Sequence, residues 1–352
     1  MVAGQRKGSA GRSKIDGVIF GIGKYEARLE IRPRQLYTMR KEKRGMLVKE
    51  RVHSRGKRRY KLLFMALPFM ALVLMFNYLP VVGWLYAFFD YIPGVPLLEC
   101  DFVGTKYFKM LFTDVNTARV LKNTLIFGAI GVLVSPLPML FAITLNEVKC
   151  GPVRRIVQTF TTLPNFISWV IIFSLAFAIF SSDGLMNGIL QAFGKEIDPA
   201  TAYNVMADGD AVYWFQSCLG LWKSLGWSSI IYLAAIAGID QELYSAAMVD
   251  GAGRLRCALH VTLPAMSETY FVLLILSIGN FLNTGFEQYM LFKNPMTGPN
   301  IEVLDLYVYR IGLEMSDYSY GIAIGIMKFI VSAALLLFAN ILSKRVRGNS
   351  IL

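Results

Sequence analysis

Lys223 and Lys328 each interrupt an otherwise apolar run, and an ionisable group in such a place is by default a pathway residue, its ammonium available to offset a carboxylate on a passing molecule. Asn165, Ser168, Asn280, Asn283 and Glu287 add hydrogen-bonding groups near the same runs, with Trp169 and Phe281 as flat faces on which a sugar ring can stack. Plainer readings stand beside these. A lysine one or two turns from the end of a membrane helix can extend its ammonium to the headgroups, which is the favoured reading of both lysines. Polar side chains in such runs more often bond helix to helix, and Trp222 and Trp227 suit an interfacial belt better than a sugar platform. The GxxxG of Gly321 and Gly325 is only a weak packing signal.

Other chemistry is sparse. Cys100, Cys150, Cys218 and Cys257 have no CxxC spacing and read as unpaired thiols, and with only His53 and His260 to join them no metal site is expected. His260 is assigned no role. A phosphate-binding GxxxxGK[ST] is absent, because the Gly-Lys pairs at Gly23, Gly56 and Gly194 lack both the upstream Gly and the following Ser or Thr. Any nucleotide must be handled by a partner.

The elements that position these residues are membrane helices. The hydrophobic share is 55% and the charged share 17%, too apolar and too weakly charged for a chain that faces water throughout. Crossing the hydrocarbon takes about 20 largely apolar residues, and six runs qualify: Leu62 to Phe89, Thr124 to Leu145, Ile156 to Phe180, Phe215 to Gly238, Thr269 to Phe286 and Tyr320 to Leu342. They are expected to be helices even where Pro68, Pro80, Pro136 or Pro138 kinks or ends them, since backbone groups in lipid must be satisfied internally. Six spans put both termini on one side. With the amino terminus cytoplasmic, the inside segments hold 27 Lys and Arg and the outside loops 7, which sets the orientation.

This gives four regions: a basic cytoplasmic arm over 1–61, a first span with its outer loop over 62–118, a transmembrane core over 119–343 and a cytoplasmic tail over 344–352. The net charge of +12 comes mostly from the arm, where 19 of the 36 Lys and Arg lie, so the arm reads as disorder or a surface helix near anionic lipid rather than a nucleic-acid site. It carries no secretory signal pattern, so the first hydrophobic run is expected to stay as an anchor. Amphipathic stretches at Tyr107 to Val120 and Leu185 to Phe193 suit the membrane interface or a soluble partner.

The loop between the fourth and fifth spans is the most informative. Asp240 suits an N-cap, Glu242 the positive start of a helix and Gly251 a left-handed end, which defines about ten helical residues; a second helix runs from about Arg254 to Pro264. Ala246, Ala247 and Gly251 leave little side chain between the first helix and whatever it touches. Ser245-Ala246-Ala247, three residues, Gly251, nine residues, then Val261-x-Leu263-Pro264 resembles the EAA loop of ABC importer permeases. Ser245 stands where that family usually has Glu, and Val261 where it usually has Ile. The resemblance continues through Asn123-Thr-Leu, Leu145-Asn-Glu-Val, Leu163-Pro-Asn-Phe-Ile-Ser-Trp, Gly226-Trp-Ser-Ser-Ile-Ile-Tyr-Leu-Ala-Ala, Phe286-Glu-Gln and Tyr307-Val-Tyr-Arg-Ile-Gly-Leu, which together look like the branch of the family that imports polysaccharide fragments, including alginate-type and pectin-type oligosaccharides.

The resemblance implies an all-α integral membrane protein of the type I importer permease fold, with a cytoplasmic coupling helix in which Leu243, Tyr244, Ser245, Ala246, Ala247, Asp250 and Gly251 meet the ATPase. It further implies a heterodimer with a second permease, two ATPase subunits that bind ATP and Mg, an extracytoplasmic sugar-binding protein, an oligosaccharide cargo and a place in the bacterial inner membrane. No enzyme activity and no cofactor is expected of this chain itself. An ion-coupled secondary carrier is the rival, but it normally shows intramembrane carboxylates, and Glu268 and Glu287 lie at span ends. A membrane scaffold or sensor using the basic arm is a third reading.

Overall fold

The computed structural model of the protein describes residues 63–194 and 204–347, so the basic arm and the last five residues of the expected tail lie outside the described residues. By packing, the chain divides into residues 1–81 and 82–352. In the first, residues 63–81 are helical and their apolar side chains are exposed, as a lipid-facing helix requires.

Six helices among the described residues are long and apolar enough to cross a membrane, the number expected: Leu63–Phe88, Val115–Asn146, Trp169–Ala192, Val212–Ala237, Arg254–Gly279 and Tyr318–Arg345. We label Leu63–Phe88 α1, and then α2 (Lys106–Thr113), α3 (Val115–Val134), α4 (Leu137–Asn146), α5 (Gly151–Thr162), α6 (Trp169–Phe180), α7 (Leu185–Ala192), α8 (Val212–Ala237), α9 (Gln241–Val249), α10 (Arg254–Cys257), α11 (Leu263–Gly279), α12 (Glu287–Phe292), α13 (Gly298–Ile301), α14 (Leu304–Tyr309) and α15 (Tyr318–Arg347).

Three boundaries differ from expectation, each for a local reason. The second span begins at Val115, not Thr124, because the Asp114 carboxylate accepts the Asn116 N–H at 3.0 Å and starts the helix there; the same cap cuts the amphipathic Tyr107 to Val120 stretch in two. The third run is not continuous from Ile156 to Phe180. After α5 comes a 3₁₀ turn over Leu163–Phe166, with Pro164 in its first turn, then extended backbone at Ile167 and Ser168 before Ser168 caps α6. The fifth span starts at Arg254 and ends at Gly279, so the segment 280–286 expected inside it is not helical.

Prolines 80 and 264 show how a helix passes a missing donor. Each follows a π turn, Leu74–Tyr78 and Ala258–Thr262, by two residues. A proline deprives the carbonyl four residues earlier of its N–H, here that of Phe76 and of His260, the middle residue of each turn. The wider turn re-pairs the ladder through Leu79 N–H to the Leu74 carbonyl and Leu263 N–H to the Ala258 carbonyl. The second helix of the loop therefore continues through Pro264 into the fifth span rather than stopping there.

Residues 82–352 pack around three apolar clusters. One joins Tyr107, Val120, Tyr307, Tyr320 and Ile324; a second joins Phe127, Ala176, Tyr289, Phe292 and Leu306; the third, near the end that carries α9, joins Ala142, Leu145, Tyr232, Ile236 and Met266. Between the second and third lies a cavity.

Candidate functional site

The cavity has a volume of about 580 Å³. Its wall on α8 is the face of Gln216, Gly220, Ser224, Trp227, Ser228 and Ile231, residues three to four apart and therefore stacked on one side of the helix. Ser277 of α11, Asn280 just past its end and Gln288 of α12 add to the polar lining. Of the nine residues named above as candidates for a cargo path, Asn280 alone is among its lining residues. Asn283 donates to the Asn280 Oδ1 at 3.2 Å behind it, and Glu287 opens α12 outside the lining. The Phe281 ring lies where a Cβ on Gly128 would touch it at 2.9 Å and packs into the core, so it offers no free stacking face.

The two lysines are engaged by the protein. Lys223 is 11 residues inside α8, about 17 Å from its start at about 1.5 Å per residue. Its ammonium donates to the carbonyls of Pro164 and Asn165, each at 3.2 Å, and of Ile167, where α5 gives way to α6. The Trp169 ring lies 5.3 Å away, a cation–π contact rather than a sugar platform. Lys328, ten residues inside α15, pairs with Asp305 of α14, whose second oxygen accepts the Gly285 N–H at 2.9 Å. Gly285 has φ +78°, so the turn after α11 is pinned to α15 through one carboxylate.

Breaking that pair leaves a charge alone in a low-dielectric interior. Lys328→Met is expected to cost about 3 kcal/mol, and Lys328→Met combined with Asp305→Asn distinctly less. Thermal denaturation of the purified variants checks this, and additive losses would show that the two groups do not interact.

At one end of the helices the loop is built as its residues suggest. Asp240 Oδ1 accepts the Glu242 N–H at 2.9 Å, and α9 closes with the Gly251 N–H on the Met248 carbonyl and the Ala252 N–H on the Ala247 carbonyl, Gly251 having φ +77°. Ser245 bonds back to the Gln241 carbonyl at 3.1 Å, and Tyr244 turns inward to Thr262 at 2.9 Å, beside the π turn. Leu243, Ser245, Ala246, Val249 and Asp250 are left exposed. Arg254 holds the loop to α4 through the Glu147 carboxylate at 3.0 Å and the Glu147 carbonyl, contacts the residue types alone did not suggest.

A model of the family described as the binding-protein-dependent transport system inner membrane component matches residues 134–348, from the end of α3 to just past α15 and including the whole loop. The chain belongs to this family.

It is therefore a transport permease rather than an enzyme, a multi-pass component of an ABC importer that works with a substrate-binding protein in the bacterial inner membrane. Protein LplB of Bacillus subtilis (strain 168) is 39% identical over 290 residues, covering 81% of this permease and 88% of LplB. The polygalacturonan/rhamnogalacturonan transport system permease protein YteP of the same organism is 40% identical over 311 residues, covering 87% and 93%. A crystal structure of a bacterial alginate ABC transporter in complex with alginate pentasaccharide-bound periplasmic protein includes a chain 34% identical with a TM-score of 0.75, covering 84% of this permease and 98% of that chain. These likenesses favour the importer over an ion-coupled carrier.

At the other end of the permease helices Asp114 gathers four donors: Tyr307 at 2.7 Å, Thr117 at 2.9 Å, the Asn116 N–H at 3.0 Å and Tyr320 at 3.1 Å. Burial pushes its carboxyl up, but these bonds outweigh burial and hold it at about 2, below the ordinary 3.8. A depressed carboxylate contributes stability that is complete above its unfolded value and is lost as pH falls through the folded one. The permease is thus expected to lose stability from about pH 4 to about pH 2, and Asp114→Asn, less stable at pH 7, is expected to lose less over that window. Melting curves at pH 7 and pH 3 give the comparison; equal losses in both proteins would remove Asp114 as the cause.

Trp227, read from sequence as an interfacial belt residue, instead lines the cavity and meets Phe166 edge-on at 5.7 Å. Sequence reasoning also missed Gln216, Ser224 and Ser228. A signal was present: Gln216, Gly220, Ser224 and Ser228 recur every four residues in an apolar run, a polar stripe on a membrane helix.

Proposed function

We propose that the chain is one of two permease subunits of an ABC importer for oligosaccharides, with α9 as the coupling helix that an ATPase subunit grips. The observation that carries this is α9 itself: a helix capped at both ends, anchored inward by Tyr244, with Leu243, Ala246 and Val249 exposed on it in a family of importer components. A rigid element of this kind can pass nucleotide-driven motion to α8 and α11, which line the cavity. The oligosaccharide class rests on the relatives named for polygalacturonan/rhamnogalacturonan and on the alginate transporter. ATP and Mg are bound by two partner ATPases, a homologous second permease completes a heterodimer, and a sugar-binding protein docks outside. Both termini and α9 are cytoplasmic, as the excess of Lys and Arg on that side requires.

The test is purification of the permease from its own host, followed by reconstitution. An ATPase and a second permease are expected to co-purify, and ATP hydrolysis to rise when binding protein and oligosaccharide are added. Uptake driven by an ion gradient, by this chain alone, would overturn the proposal.

A further inference from the structure

Gln216 and Gln288 bridge α8 and α12 in the cavity wall. Gln288 Nε2 donates to the Gln216 main-chain carbonyl at 2.9 Å and to the Gln216 Oε1 at 2.7 Å, and the two residues are 2% and 9% exposed. The network fixes which way each amide points. The Gln216 main-chain carbonyl can only accept, so Gln288 must turn its NH₂ to it; Gln216 must then turn its oxygen to the second Gln288 N–H.

This leaves two groups over. The Gln216 NH₂ and the Gln288 Oε1 have no hydrogen-bond partner among the described residues, although both residues line the cavity. An unbonded amide donor beside an unbonded amide acceptor in a cavity wall suits a ligand that brings one of each. Adjacent hydroxyls of a sugar ring do so. Gly220, one turn along α8, keeps the acceptor uncovered: a Cβ there would already stand 3.8 Å from the Gln288 Oε1. No charged side chain lines the cavity among the described residues.

We infer that the Gln216–Gln288 amide pair is a hydroxyl-reading site in the membrane cavity, binding a vicinal diol of the cargo, neutral or acidic, without reading its charge. The inference rests on the oligosaccharide function proposed above. Lys223 and Lys328 take no part in it, being committed to the carbonyls after α5 and to Asp305.

The experiment is uptake by the complete importer, with both permeases, ATPases and binding protein, in proteoliposomes, using arabinotriose as the neutral probe and a galacturonate trisaccharide as the acidic one. Gln216→Met is expected to lower uptake of every imported probe about tenfold, the loss of one good polar contact. Gln216→Glu keeps the size and the acceptor that Gln288 needs but replaces the donor with negative charge. It is expected to lower galacturonate uptake at least about tenfold more than its effect on arabinotriose, because like charges repel strongly away from water. A merely structural role would move both probes alike, and that equality would overturn the inference. If only one probe is imported by the unmodified complex, undiminished uptake in Gln216→Met overturns it. Import of neither probe by the unmodified complex overturns the oligosaccharide proposal itself, and this site with it.

Discussion

Replacing Ala246 with Trp is expected to abolish ATP-driven uptake while the permease still folds and inserts. Ala246 is exposed on α9, between Leu243 and Val249, so an indole there meets nothing inside the chain. On the coupling role proposed for α9, it would stand instead in the way of the ATPase groove. Filling a close-packed docking surface with a ring costs at least a hot-spot contact, about 2 kcal/mol or roughly thirtyfold in binding. Uptake should fall by at least that factor, and co-purification of the ATPase with it. Ser245→Ala is the control: it removes a hydroxyl bonded to its own helix and is expected to change uptake little. Normal uptake by Ala246→Trp would sink the coupling role of α9.

The largest stability loss is expected at Gly226. There α8 crosses the end of α5 so closely that a Cβ would lie 2.2 Å from the Thr161 carbonyl oxygen and 2.3 Å from its carbon. These are backbone atoms, unable to swing aside as a side-chain tip can. Gly226→Ala must therefore push the helices apart, at a cost of about 4 kcal/mol or more, the range reserved for overpacked cores. The yield of folded permease and its melting temperature measure this. Gly188→Ala on α7 makes the same chemical change in open space, and there relief from glycine's backbone freedom should stabilise by about 0.5 kcal/mol. Opposite signs at the two sites would isolate close approach as the cause; equal effects would remove it.

What could be read without the structure was what is encoded along one stretch of chain. The six spans follow from length and hydropathy, and the ends of α9 from Asp240 and Gly251, because a cap needs only residues within a few positions. The interruption after α5 was half visible in Pro164, but its stabilising partner, Lys223, is 59 residues away. Lys328 and Asp305, 23 apart, and Arg254 and Glu147, 107 apart, are contacts that residue type permits and only the fold selects. The cavity was misread for a related reason. Lysine draws notice in an apolar run, whereas Gln216, Ser224 and Ser228 do not, yet it is these, with Trp227, that turn towards the open space.

The carbonyls that Lys223 holds have a consequence for how the protein is made. When the third segment leaves the ribosome, the Asn165 and Ile167 carbonyls lack the ammonium that they bond in the folded permease. The ammonium that satisfies them is synthesised more than fifty residues later. The turn ahead of α6 therefore completes its hydrogen bonding only once α8 has been made, which ties the folding of the third segment to that of the fourth.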